Sequence, residues 1–268
     1  MPTLHCASGL VIEARRYKLQ DRKALFDKNA AKRGLTQVKM LETVTTSVVE
    51  AGPYMLSPDQ KLNWLEVAYS DIATALVRWR TALKKDYDFD ANCPVCNDLL
   101  QLSADLSATI YKPMSEAGRQ HLSAGAPLVL TIFNPDVEKA SREFRIADLQ
   151  IRLLLGKDLT SIANAVRESG GGFEVTMAVQ AMLSIVSIAL PDGRKLQDPI
   201  AIRDYYDNAE WFFHKQLLEF IDETSGGTDT DVRQTCRSCR KEIKLPLPLD
   251  IGFYDPSMEP SRRSTVAG

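Results

Sequence analysis

Apolar residues along this chain follow two rhythms, strict alternation over short runs and helical spacing over longer ones. The opening LHC-ASG-LVIEARRY sets two short β-prone runs around an Ala7-Ser8-Gly9 turn and predicts a hairpin. A second such unit, LVLTIF-NPD-VEKASREFRI, spans residues 128–146 around Asn134-Pro135-Asp136. A helical stretch is predicted after each: YKLQDRKALFDK from Tyr17 and FRIADLQIRLLLGK from Phe144. Tyr17/Phe144, Lys18/Arg145, Leu19/Ile146 and Asp21/Asp148 stand in register there.

Helical spacing predicts further helices over 35–51, 57–83, 157–168, 174–188 and 198–221. Ser57 and Gln60 make a capping-box pattern with Pro58 at the first helical position. Gly170-Gly171-Gly172 and Pro191-Asp192-Gly193 punctuate the later helices; no Gly-Lys-Ser/Thr follows the glycines, so they predict a connection and not a phosphate loop. Alternation returns at Leu100, Leu102, Ala104 and Leu106, and again at Ile243, Leu245, Leu247 and Leu249, predicting a half-buried strand in each place. The fold class expected is α+β and helix-rich, built from two pseudo-repeated halves of hairpin, helices, C-x-x-C knuckle and strand. The first half covers 1–115, a small and polar linker 116–127, the second half 128–255, and a Pro/Ser/Arg-rich loose tail 256–268.

Composition leaves that picture intact. With 44% hydrophobic and 25% charged residues in 268, the chain has ordinary globular content. A net charge of −2 argues against a generally basic nucleic-acid binder. The longest apolar run, AMLSIVSIAL, is too short to span a bilayer, and the N-terminus lacks the pattern of a signal peptide, so a cytoplasmic protein is expected.

The cysteines carry the candidate chemistry. Of five, Cys6 stands alone on an apolar strand, as a small buried hydrophobe would. The other four form Cys93-x-x-Cys96 and Cys236-x-x-Cys239. A C-x-x-C in a tight turn points two sulfurs at one spot, and two facing turns offer four thiolates tetrahedrally, a closed structural metal site. Zinc is the usual ion for such a set, with iron as competitor. Pro94 invites a redox reading, C-P-x-C, yet those motifs open a helix after a strand, whereas the pattern sets Cys93 between a helix and a strand. His5, His121 and His214 fit no catalytic pattern, and no nucleophile elbow, Walker loop or dinucleotide fingerprint occurs. Asp86, Asp88 and Asp90 alternate on one strand face, read as a solvated edge. Trp64, Trp79, Trp211, Phe212 and Phe213 are expected in the core. Arg78, Arg80, Lys84 and Lys85 suit a helix C-terminus. Arg233, Arg237, Arg240 and Lys241 gather near the second knuckle, the feature a zinc-ribbon nucleic-acid-binding protein would need.

Taken in order, these motifs resemble the baseplate hub protein family of T-even-type contractile-tailed bacteriophages. The residues that carry the likeness are Ser8-Gly9-Leu10-Val11, Cys93-Pro94-Val95-Cys96, Phe144-Arg145 with Leu154-Leu155-Gly156-Lys157-Asp158, Cys236-Arg237-Ser238-Cys239, and Leu249-Asp250-Ile251-Gly252-Phe253-Tyr254. The second pair departs from the commoner Cys-Pro-x-Cys, no Gly follows Cys239, and the tail after Pro256 has no counterpart. The resemblance implies a non-enzymatic virion tail component, present in the host cytoplasm during assembly. It would touch other baseplate, hub and tape-measure proteins, and self-association in a ring is implied by baseplate symmetry; neither membrane nor nucleic acid is an expected partner.

Overall fold

β-Branched and alternating runs form strands wherever a neighbouring strand is within reach, and this rule reorganises several expected helices. The computed structural model describes residues 1–135, 145–169, 173–249 and 251–255. Asp136 of the turn expected at 134–136, the glycines at 170–172 and the tail at 256–268 lie outside the described residues.

The chain opens with β1 (Thr3–His5) and β2 (Val11–Ala14), then a 3-10 turn at Leu19–Asp21, α1 (Arg22–Leu25), α2 (Lys28–Lys32), α3 (Thr36–Val44) and β3 (Thr45–Glu50). These strands form an antiparallel sheet in the order β1-β2-β3. The helix expected over 35–51 thus stops at Val44, because the run Thr45-Thr46-Ser47-Val48-Val49 is stiff at χ1 and pairs with β2. Within residues 57–83 only α4 (Tyr69–Leu83) is a long helix. The expected capping box is a tight turn, in which Gln60 has φ +60° and the Ser57 N–H donates to the Lys61 carbonyl at 2.9 Å.

A two-stranded ribbon follows, β4 (Asp86–Asn92) and β5 (Leu99–Asp105), then β6 (Tyr111–Lys112) and α5 (Glu116–Ala124). The expected linker is therefore largely helix. Ser115 caps it by accepting the Gly118 N–H at 3.1 Å, and Gly125 ends it in the left-handed region. Next come β7 (Leu128–Phe133), β8 (Arg145–Ile151), α6 (Leu159–Glu168), α7 (Phe173–Ser184), β9 (Ile185–Ala189) and β10 (Lys195–Leu196). They give a second sheet, in the order β10-β9-β8-β7. Residues 145–151, expected as helix, are a strand paired on both sides, which alternating burial rewards more than helix propensity does. The expected register of Arg145, Ile146 and Asp148 with residues 18–21 fails for the same reason. The helix expected over 174–188 likewise yields to strand at Ile185, and that over 198–221 breaks into α8 (Pro199–Asp207) and α9 (Trp211–Ser225). β11 (Gly227–Thr228), a second ribbon of β12 (Asp231–Thr235) and β13 (Glu242–Pro246), and α10 (Ile251–Tyr254) complete the chain.

Certain bonds recur at distant places. Arg15 grips both oxygens of Asp21 at 2.7 and 2.8 Å, and Arg152 does the same to Asp158 at 2.7 and 3.0 Å. The N–H groups of Lys18 and Leu155 bond the same two carboxylates. Arg15 N–H meets the Val44 carbonyl at the end of α3, as Arg152 N–H meets that of Ser184 at the end of α7. The pairings Ile12↔Val48 and Leu149↔Ile188 are each followed by a bulge one residue further on.

Packing crosses the expected boundary between halves. One core cluster joins Trp64, Trp79 and Tyr87 to Leu159, Ile162, Ile243 and Phe253; the other joins Ala7, Ala68 and Met114 to the second sheet. Tyr69 N–H donates to Leu154 O and Gly156 N–H to Val67 O, both at 2.8 Å. A Cβ on Gly156 would run into the Trp64 carbonyl oxygen, so this crossing tolerates no side chain. Arg80 stands in the last turn of α4, as expected, and is fully buried: its Nε donates to Phe253 O at 2.8 Å, and its other nitrogens reach the carbonyls of Lys84 and Asp86. Arg22 and Tyr17 hold the carboxylate of Asp255. Near the N-terminus, buried Asp71 accepts from Ser8 N–H, Ser8 Oγ and Tyr54 OH, which fixes the Ser8-Gly9 turn on α4. Burial pushes the Asp71 carboxyl up against those hydrogen bonds.

The Arg15 guanidinium, helped by the Lys18 N–H, holds the Asp21 carboxyl below its usual value. A depressed folded value stabilises above the ordinary carboxylate pKa and loses that stabilisation as pH falls through it. Asp21→Asn is therefore expected to cost about 2 kcal/mol at neutral pH, with the gap to the parent chain closing below about pH 4. Urea unfolding across that pH range measures it.

Candidate metal centre

Two short turns build this site. In each, a C-x-x-C links the strands of a ribbon, so both sulfurs hang from one reversal of the chain. Cys93 N–H donates to Asp98 O and Asn97 N–H to Cys93 O, both at 2.8 Å. Cys236 N–H donates to Lys241 O and Arg240 N–H to Cys236 O, both at 2.9 Å. Asn97 and Arg240 have φ of +62° and +59°, a left-handed residue one place after each second cysteine. Glycine is the usual solution there, and Asn is the cheaper of the two side chains present. Cys93 thus lies between two strands and not, as expected, between a helix and a strand.

The ribbons bring these turns face to face. The four sulfurs of Cys93, Cys96, Cys236 and Cys239 lie within 4.8 Å of one another. Across the gap, Cys93 Sγ is 3.9 Å from Cys239 Sγ and Cys96 Sγ is 3.7 Å from Cys236 Sγ. A tetrahedron with metal–sulfur bonds of about 2.3 Å has sulfur–sulfur edges of about 3.8 Å, so the cross-turn edges already suit a metal. Cys93 and Cys236 are buried, Cys239 is half-buried and Cys96 faces solvent. Every corner of the tetrahedron comes from a cysteine, which leaves no position for substrate or water. Among the described residues this is the one group of three or more His, Cys, Asp or Glu placed to hold a metal ion.

Local electrostatics favour thiolate at one corner. The Cys96 N–H, with a smaller contribution from that of Val95, draws the Cys93 thiol down to about 7. Cys96 has the Asp98 N–H in its favour, yet desolvation and hydrogen bonds with the other three sulfurs lift it to about 12. A cation among them removes that conflict, because metal binding displaces the thiol protons.

The walls tie the site to the core. Tyr87 and Phe89 on the inner face of β4 stack at 5.4 Å, Tyr87 meets Phe253 edge-on at 5.1 Å, and Tyr87 OH donates to Pro248 O at 3.2 Å. Sequence patterning found the four ligands and missed this support, since residues 248–253 show no periodicity that points to β4.

Other expected sites find plain roles. Cys6 is buried, and desolvation raises its thiol pKa. His121 Nδ1 sits 2.7 Å from Ala126 O at the end of α5, and His214 packs edge-on against Tyr206. Trp64, Trp79, Phe212 and Phe213 are buried as expected, whereas Trp211, expected in the core, is 64% exposed in the first turn of α9.

Replacing Cys93 or Cys236 by Ser is expected to abolish stoichiometric metal and to lower the thermal midpoint by at least about 10 °C, given that structural zinc supplies about 10–16 kcal/mol in small peptides. Chelation of the parent chain should do the same, and metal analysis with scanning calorimetry checks both.

No family model, no curated protein and no solved structure matches this chain.

Proposed function

We propose that the chain is a zinc-stabilised structural and assembly component of a contractile phage tail baseplate, acting in the hub region through protein–protein contacts. The observation that carries the structural part is the meeting of four sulfurs from turns far apart in sequence in a site without an open position. Such a site holds parts together and performs no turnover. Zinc is assigned on ligand chemistry, because four thiolates in a tetrahedral set suit it and it needs no redox partner.

Internal duplication belongs to the same proposal. The matched Arg–Asp grips, matched bulges and matched knuckle bonds all follow if one ancestral unit was written twice and the metal sits between the copies. Support for the baseplate role comes from the ordered combination Ser8-Gly9-Leu10, Cys-Pro-x-Cys, Leu154-Leu155-Gly156-Lys157-Asp158, second C-x-x-C and Phe253-Tyr254. All five meet at packing contacts: Ser8 on Asp71, Gly156 at the crossing, both cysteine pairs at the metal centre and Phe253 on Arg80.

A cleft of about 540 Å³ between α4, α7 and α9 fits a binding role better than a catalytic one. Among the described residues neither His, Cys, Lys nor Arg lines it, and the one carboxylate, Asp222, is paired with Lys112.

Deleting the gene from a phage or prophage that carries it is expected to abolish infective tails, with restoration by the parent chain and not by the Cys93→Ser/Cys236→Ser form. Infective tails from the deletion would refute the baseplate role and leave the metal centre standing.

A further inference from the structure

The two ribbons that meet at the metal centre are alike in backbone and opposite in charge. In β4 and β5, Tyr87, Phe89, Leu100 and Leu102 face the core, which turns Asp86, Asp88, Asp90, Gln101, Ser103 and Asp105 outward. Residues 86–105 hold five aspartates and no Lys or Arg. In the second ribbon, Ile243 is buried and Val232 and Leu245 pack inward, so Asp231, Arg233, Glu242 and Lys244 face out. With Arg237, Arg240 and Lys241 in the knuckle, residues 231–246 hold five cations against Asp231 and Glu242.

Pairing within each ribbon adds a cost. Asp86 stands directly opposite Asp105, and Arg233 directly opposite Lys244. Like charges across an antiparallel pair destabilise the isolated ribbon. Lys244 finds Asp231, but Arg233, Arg237, Arg240 and Lys241 have no ion-pair partner among the described residues, and neither do Asp86, Asp90 and Asp98. Among these seven residues no charge of one ribbon is spent on the other inside one chain.

We propose that the outward face of the acidic ribbon docks the outward face and knuckle of the basic ribbon of a second copy of this chain, head to tail. Two unlike faces on one molecule make a heterologous contact, which propagates into a ring or a filament and does not stop at a twofold dimer. Charge complementarity selects the second copy: an acidic β-face without cations fits Arg233 and the Arg237, Arg240 and Lys241 knuckle of a ribbon built on the same backbone, which offers the Asp86–Asp105 pair its missing cations. The inference rests on the ribbon geometry and holds whether or not the chain belongs to a phage tail.

The test is sedimentation velocity of the metal-loaded full chain at about 20 mM and about 500 mM salt, where screening lengths differ several-fold. The expected result is concentration-dependent association at low salt that disappears at high salt. Asp86→Lys/Asp90→Lys and Arg233→Glu/Arg237→Glu, all at exposed positions, should each associate at least about tenfold more weakly alone. Mixed together, the two forms should associate again, which a folding defect could not produce. A monomeric parent chain at low salt, variants that assemble as the parent does, or a mixture that stays monomeric would each overturn the proposal. So would a parent chain that stays monomeric and binds a short DNA duplex through Arg233 and Arg237, since the basic face would then belong to nucleic acid.

Discussion

Four sulfurs from two turns distant in sequence occupy the corners of one small tetrahedron. Among the described residues no other group is placed to fix two such turns against each other through a metal ion. Hydrophobic burial is non-directional and would accept many arrangements of these short strands and helices. A thiolate tetrahedron accepts one, within a few tenths of an ångström. Two-stranded ribbons are marginal alone; the first is backed by aromatic packing and the second by Ile243, Val232 and Leu245, and a metal ion between their turns would tie them together.

Around that centre the chain is interlaced and not merely juxtaposed. The C-terminal segment crosses back to the first part, where Arg80 grips Phe253 and Arg22 grips Asp255. Strand β6 crosses the other way to pair with β11. Gly156 lets the main chain pass against Trp64 and Val67. These crossings explain why neither core cluster is confined to one half.

Local chemistry made the ligands legible from sequence. C-x-x-C spacing is a property of one turn, and alternation at Leu100 and Leu102 or at Ile243 and Leu245 is a property of one strand. The first hairpin was legible for the same reason, with Ser8-Gly9 between apolar runs. What sequence hid was non-local. Residues 145–151 carry a helix-compatible pattern, and only pairing with strands on both sides makes them β8. Val44 and Ser184 end helices because the following residues reach a sheet, a fact absent from either helix. Arg80 looked like a helix-end cation, since nothing near it in sequence announces the carbonyl of Phe253. The aspartates of β4 were legible too: read as a solvated edge, they lie on a two-stranded ribbon with Asp86 and Asp90 exposed.

The most direct check of the central claim is X-ray absorption at the metal edge of gently purified protein, with the metal quantified per chain. The account predicts one zinc per chain with four sulfur neighbours at about 2.3 Å and no nitrogen or oxygen in the first shell. Metal-free protein that is fully folded, or a centre with mixed ligands, would contradict it.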